Sequence, residues 1–267
     1  MADEIITSKN NDTVKFLLSL SDKSVRERTG SFLLEGKRAV GEAVEAKLAT
    51  HIIVSQGYAK EKEYSVVKTW RLPTTVLSDG MFSRISETKT PQGIAAVCKI
   101  KKYNLQTVLE EEKSILLLED VRDPGNMGTV IRTAAAAGFG GIIASDGCVD
   151  VYNSKVVRST VGCLFKTKII QCKGSFLNIT EEIKNKGFCL YAAHPRGGKD
   201  LFDTEFSRKT AVVLGNEANG LSNAMLKQCD SLVTIRMEKG VESLNASVAA
   251  ALMMYEVRRK NNLGGYI

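Results

Sequence analysis

Apolar residues along this chain alternate between short continuous runs and longer stretches in which they recur at helical spacing, and that alternation predicts an α/β protein. Residues after Thr7 read as helix, 32–35 as a short strand and 37–47 as a helix. Strand 51–55, helix 59–70, strand 74–77, helix 79–87 and strand 93–100 follow. Together they make a compact unit of about 100 residues, a common domain size. Residues 99–113 are polar, with lysines first and Glu110, Glu111 and Glu112 later, and read as a linker with some helix. We therefore divide the chain into an N-terminal domain, 1–105, and a C-terminal domain, 106–267.

The second half repeats the pattern more strongly, with strand-like runs at 115–119, 141–145, 168–171, 189–193, 211–214 and 232–235. Short apolar strands separated by helices predict a mostly parallel sheet covered on both faces. Ligands of such sheets bind outside the carboxyl ends of the strands, so polar and glycine residues just after each run are the place to look for chemistry. Three segments qualify. The first runs from Glu119 to Gly128 and leads into a helix bearing Arg132; its Asn126 suits a helix cap as well as a functional role. The second, after the 211–214 strand, is Leu214-Gly215-Asn216-Glu217, where a glycine admits close approach of a ligand. The third contains Ile235, Met237, Ser243, Leu244 and Asn245 and opens an alanine-rich helix reaching about Asn261. Ser243 or Asn245 suits its cap. The run Gly138-Phe139-Gly140-Gly141 is no dinucleotide fingerprint, because it follows a helix and precedes a strand.

Composition narrows the classes. Hydrophobic residues at 43% and charged residues at 25% are those of a globular chain, and no apolar run approaches the ~20 residues that span a bilayer. The start, Met1-Ala2-Asp3-Glu4, does not read as a secretory signal, and a cytoplasmic location is expected. Six cysteines without a close pair read as buried thiols. With only His51 and His194, a histidine-built metal site or hydrolase triad lacks candidates, and no metal is expected. The net charge of +7 favours a polyanionic partner.

Taken together, the strings DVRDPGNMGTVIRTAAAAGFGGI, VVLGNEANGLS and IRMEKGVESLNASVAAALMMYE resemble, in order and spacing, the three motifs of SpoU/TrmH RNA methyltransferases of the SPOUT superfamily. The intermediate VYNSKVVRSTVGCLF is similar as well. SKNNDTVKFLLSL, FLLEGKRAVGEA and TPQGIAAV resemble the substrate-binding domain of the family's rRNA-modifying members. The resemblance implies a trefoil knot, S-adenosylmethionine as cofactor, an RNA substrate and a homodimer with two subunits around each active site. It implies 2'-O-methylation of ribose in large-subunit rRNA; a tRNA enzyme, or a non-catalytic ribosome-assembly factor on the same fold, are the alternatives. Carried over, Asn126, Arg132, Glu217, Ser243 and Asn245 are the catalytic set. Ala193, Leu214, Gly215, Asn216, Ile235, Met237 and Leu244 are the cofactor contacts. A guanidinium is a permanent cation, so Arg132 is expected to stabilise the developing alkoxide and clamp a phosphate rather than act as a base. Lys9, Lys15, Lys23, Arg26, Arg28, Lys37 and Arg38 are expected to give the N-terminal domain its RNA affinity.

Overall fold

The computed structural model describes residues 4–261. Contacts sort the chain into two units, one of residues 1–101 with 152–165, the other of residues 102–151 with 166–267.

The first unit is built on a mixed five-stranded sheet in the order β1-β4-β3-β5-β2. Its strands are β1 (Ile5–Ile6), β2 (Ser31–Glu35), β3 (Ala49–Ser55), β4 (Thr74–Leu77) and β5 (Ile94–Lys99). β1 and β3 flank β4 in parallel, whereas β2 and β3 run antiparallel to β5. The helix expected after Thr7 is two helices, Asp12–Ser19 and Lys23–Thr29, each started by a side-chain cap, from Asn11 and Asp22. A core of Val14, Leu17, Ile53, Leu77, Phe82 and Ala95 closes between helices and sheet. Arg26 does not belong to an RNA-facing surface: it is 4% exposed, and its Nη1 donates to the carbonyls of Leu20 and Ser21 at 2.7 Å each. The helix expected at 59–70 is a short 3-10 turn, Tyr58–Lys60, followed by Tyr64–Thr69.

Residues 152–165, read from sequence as part of the C-terminal domain, pack with this first unit. Phe32 of β2 meets the rings of Tyr152 and Phe165 at centroid distances of 4.9 and 6.4 Å. Burial of these aromatics supplies the reason, since rings in such contact add about 0.5–1.5 kcal/mol to their area burial.

The second unit carries a seven-stranded sheet in the order β10-β12-β9-β11-β6-β7-β8. The strands are β6 (Ser114–Leu118), β7 (Gly141–Ala144), β8 (Lys168–Gln171), β9 (Cys189–Ala193), β10 (Lys199–Asp200), β11 (Thr210–Leu214) and β12 (Ser231–Thr234). Every pairing is parallel, as the runs without polar alternation imply: all residues of β6, β7 and β11 are buried. Helix Pro124–Ala137 starts with proline in its first turn, is capped by Asp123 and stops at Gly138 with φ of 79°. It packs against the long helix Ala246–Asn261. The chain order jumps from β11 back to β6, so the loops after β9, β11 and β12 gather at one end of neighbouring strands.

Candidate functional site

At the carboxyl ends of β9, β11 and β12 a cavity of about 290 Å³ opens, close to the ~300 Å³ at which small-molecule sites begin. All of the residues expected to touch the cofactor line it: Ala193 from β9, Leu214, Gly215 and Asn216 from β11 and its turn, Ile235 and Met237 beyond β12, and Leu244 before the long helix. Glu217 and Ser243 line it too. His194 and Pro195, on the loop that follows β9, line it as well.

The turn after β11 is fixed from within. Asn216 and Gly220 exchange main-chain hydrogen bonds of 3.0 and 2.9 Å. The Asn216 side chain accepts from the N–H groups of Ala218 and Asn219 and donates to the Asp120 carbonyl at 2.9 Å. A methyl group on Gly215 would overlap the main chain of Gly220 and Leu221. The glycine is therefore demanded by the chain's own close passage, and it also lies on the cavity wall.

Asn126 is freed from capping duty because Asp123 Oδ1 accepts from the Asn126 N–H at 2.7 Å. Its amide instead links two distant segments. Asn126 Nδ2 donates to Glu217 Oε1 at 3.1 Å, and Asn126 Oδ1 accepts from Asn245 Nδ2 at 2.9 Å. Asn245 does cap the long helix: its Oδ1 accepts from the Ser247 N–H at 2.9 Å and Oγ at 2.6 Å. It thus fills the capping role while its Nδ2 reaches Asn126. Burial raises the carboxyl pKa of Glu217, but hydrogen bonds from the Asn126 side chain and from main-chain N–H groups, including those of Asp123 and Arg122, outweigh it and hold the group below the usual value. Glu217 is thereby kept a carboxylate.

Arg132 and Ser243 stand apart from this chain of amides. Arg132 is exposed on the helix Pro124–Ala137, does not line the cavity, and its side chain makes no hydrogen bond or ion pair among the described residues. Ser243 is exposed at the cavity wall and likewise has no hydrogen-bond partner among them. The described residues hold no group of three or more His, Cys, Asp or Glu side chains placed for a metal, and no helix long and apolar enough to cross a membrane.

Comparison with known proteins agrees with this geometry. Residues 113–255 match the SpoU rRNA Methylase family and residues 11–96 the MRM3-like substrate binding domain. The chain is 34% identical to the 23S rRNA (guanosine(2553)-2'-O)-methyltransferase RlmP of Bacillus subtilis, over 95% of this chain and 98% of that one. It is 30% identical to the 23S rRNA (uridine(2479)-2'-O)-methyltransferase of Streptomyces viridochromogenes, over 97% and 93%. Among solved structures, the SpoU methyltransferase AviRb from that organism in complex with AdoMet superposes with a TM-score of 0.86 at 28% identity, over 96% of this chain and 100% of AviRb. An AdoMet-bound rRNA methyltransferase from Sinorhizobium meliloti gives 0.85 at 27%, over 96% and 97%. With motifs, fold and strand-end pocket in agreement, the chain belongs to the SpoU rRNA methylase family.

Proposed function

We propose that this protein transfers the methyl group of S-adenosylmethionine to a ribose 2'-hydroxyl of large-subunit ribosomal RNA. One observation carries the reading: the strand-end cavity and the amide chain meet at Glu217, which both lines the cavity and accepts from Asn126. The cavity suits the cofactor, because Leu214, Ile235, Met237 and Leu244 offer apolar surface for a purine while the turns beside them bring main-chain groups to the wall. When bound, S-adenosylmethionine supplies a methyl group on a positively charged sulfur. Leu214, Gly215, Asn216, Ala193, Ile235, Met237 and Leu244 hold it. Asn126, Asn245 and Glu217 form a rigid polar floor that orients the ribose, and Ser243 adds a hydroxyl at the wall. As the new bond to the methyl carbon forms, the hydroxyl proton passes to solvent water and S-adenosylhomocysteine is left; Arg132 would stabilise the developing alkoxide, and its fork of N–H donors would hold the neighbouring phosphate.

The protein acts as a homodimer with two subunits around each active site. Val248, Leu252 and Tyr255 recur at helical spacing along the helix Ala246–Asn261 and are 46, 38 and 50% exposed, an apolar stripe suited to a second copy. Arg132, absent from the cavity wall of its own chain, is free to serve the partner's. The trefoil knot falls in the turns after β9 and β11, and the close passage at Gly215 supports it. The first unit supplies RNA affinity through its exposed cations, and a cytoplasmic location fits ribosomal RNA as substrate.

Mapping ribose methylation in total RNA with and without the gene tests the reading. One large-subunit site that loses its methyl group is expected; an unchanged rRNA map, or loss confined to tRNA, refutes it. The two named relatives act on different bases, guanosine and uridine, so kinship leaves the base to that experiment.

A further inference from the structure

Phe202 is 61% exposed, the most open large apolar side chain among the described residues. A lone surface aromatic is ordinary; this one stands on a braced turn. The Phe202 N–H donates to Asp200 Oδ1 at 2.8 Å, and Thr204 Oγ1 donates to the Asp200 carbonyl at 2.6 Å. Asp200 Oδ2 pairs with Arg236 Nε at 2.6 Å, with an Asp200 side chain only 9% exposed. Arg236 sits between Ile235 and Met237, both of which line the cofactor cavity. The turn is thus tied to the cavity wall while its phenyl ring faces solvent.

The surrounding charge is suited to an anion. Arg196 and Lys199 lie just before the turn, on the segment that leaves the cavity at Pro195, and their side chains are exposed with no hydrogen bond or ion pair among the described residues. The nearby acids are occupied: Asp203 lies 3.8 Å from Arg236, and Glu205 pairs with Lys260 at 2.6 Å. A flat exposed ring flanked by exposed cations matches single-stranded RNA, whose bases stack on aromatic faces while cations follow the phosphates.

We propose that Phe202 is a stacking platform for an unpaired base flanking the target nucleotide, positioned by the Asp200–Arg236 pair, with Arg196 and Lys199 on adjacent phosphates. The inference rests on the RNA methyltransferase reading above.

Single-turnover methylation of an unmethylated large-subunit rRNA transcript, followed against RNA concentration, tests it with Phe202→Ala, Phe202→Leu and Phe202→Trp. Base–aromatic stacking is worth ~1–3 kcal/mol, so Phe202→Ala should raise the half-saturating RNA concentration about 5- to 150-fold. Phe202→Leu should fail nearly as badly and Phe202→Trp should restore binding. Rate at saturating RNA and calorimetric affinity for S-adenosylmethionine should hold. Leucine serving as well as phenylalanine, no shift with alanine, or dissociation of the oligomer by Phe202→Ala in sedimentation would each overturn the proposal. A wild-type protein that methylates no transcript defeats the underlying reading, and the platform with it.

Discussion

Replacing Arg132 with alanine should separate catalysis from stability more cleanly than any other single change in this protein. The guanidinium is exposed and has no hydrogen bond or ion pair among the described residues, so the folded state loses no polar contact. Surface changes of that kind stay within about ±0.5 kcal/mol, and alanine is the better helix former by a few tenths of a kcal/mol. At roughly 2–4 °C per kcal/mol for a chain of this size, the melting temperature should move by no more than about 2 °C. Turnover answers to a different term. If Arg132 stabilises charge that appears only in the transition state, its removal resembles loss of one oxyanion donor, about 2.7–4 kcal/mol or 100- to 1000-fold in rate. Arg132→Lys keeps the charge without the planar fork and should recover only part. Single-turnover methylation at saturating S-adenosylmethionine, run beside a thermal melt, measures both. Near-wild-type turnover in Arg132→Ala would refute the assigned role, and a large fall in melting temperature would refute the structural premise.

Other changes probe the frame around that arginine. Gly215→Ala forces a methyl group into the main chain at Gly220–Leu221 and should cost about 1–3 kcal/mol of stability, with weaker S-adenosylmethionine binding by calorimetry. Asn245→Asp keeps the helix-capping acceptor but cannot donate to Asn126 Oδ1, so the melting temperature should nearly hold while single-turnover methylation falls. Because hydrogen bonds hold the Glu217 pKa below its unfolded value near 4.3, its contribution to stability is present above that value and lost as pH falls through the lower folded one. The stability difference between wild type and Glu217→Gln, followed by thermal melts, should therefore shrink on acidification below about pH 4. Leu252→Glu places a charge in the exposed stripe and should yield monomers by sedimentation, with methyl transfer lost.

The second unit is readable in the sequence because a parallel sheet buried on both faces must be apolar without interruption, and β6, β7 and β11 are. The same logic places the cavity, since ligands of such sheets gather where strands end. What escapes is decided by distant or very short contacts. β1 and β10 are two residues each, below any period a pattern can show. The aromatic contacts of Phe32 with Tyr152 and Phe165 join residues more than a hundred positions apart, which periodicity cannot register. Counting charges sends Arg26 to the surface, but its guanidinium serves carbonyls in the interior. Asn126 suits a cap by type and position; only the Asp123 bond shows the cap already filled.

The amide chain also explains why a cation has to come from outside it. Asn245 Oδ1 is committed to the N-terminus of the long helix, leaving its Nδ2 to donate, and a carboxylate at Glu217 can only accept. The Asn126 amide between them therefore has one orientation, and the floor of the site is fixed without a movable proton. That floor is acidic. The Glu217 carboxylate accepts from the Asp123 N–H there, while Arg122 is drawn to Asp120 at 3.4 Å. Left alone, such a surface would repel the phosphates on either side of the ribose that the proposed function seats there. The sign is reversed by exposed cations, and the side chains of Arg132 and Arg196 are exposed with no hydrogen bond or ion pair among the described residues. On the proposed roles, RNA docking and charge stabilisation at the hydroxyl draw on the same supply of exposed cations, so added salt should weaken binding most where these side chains meet phosphate.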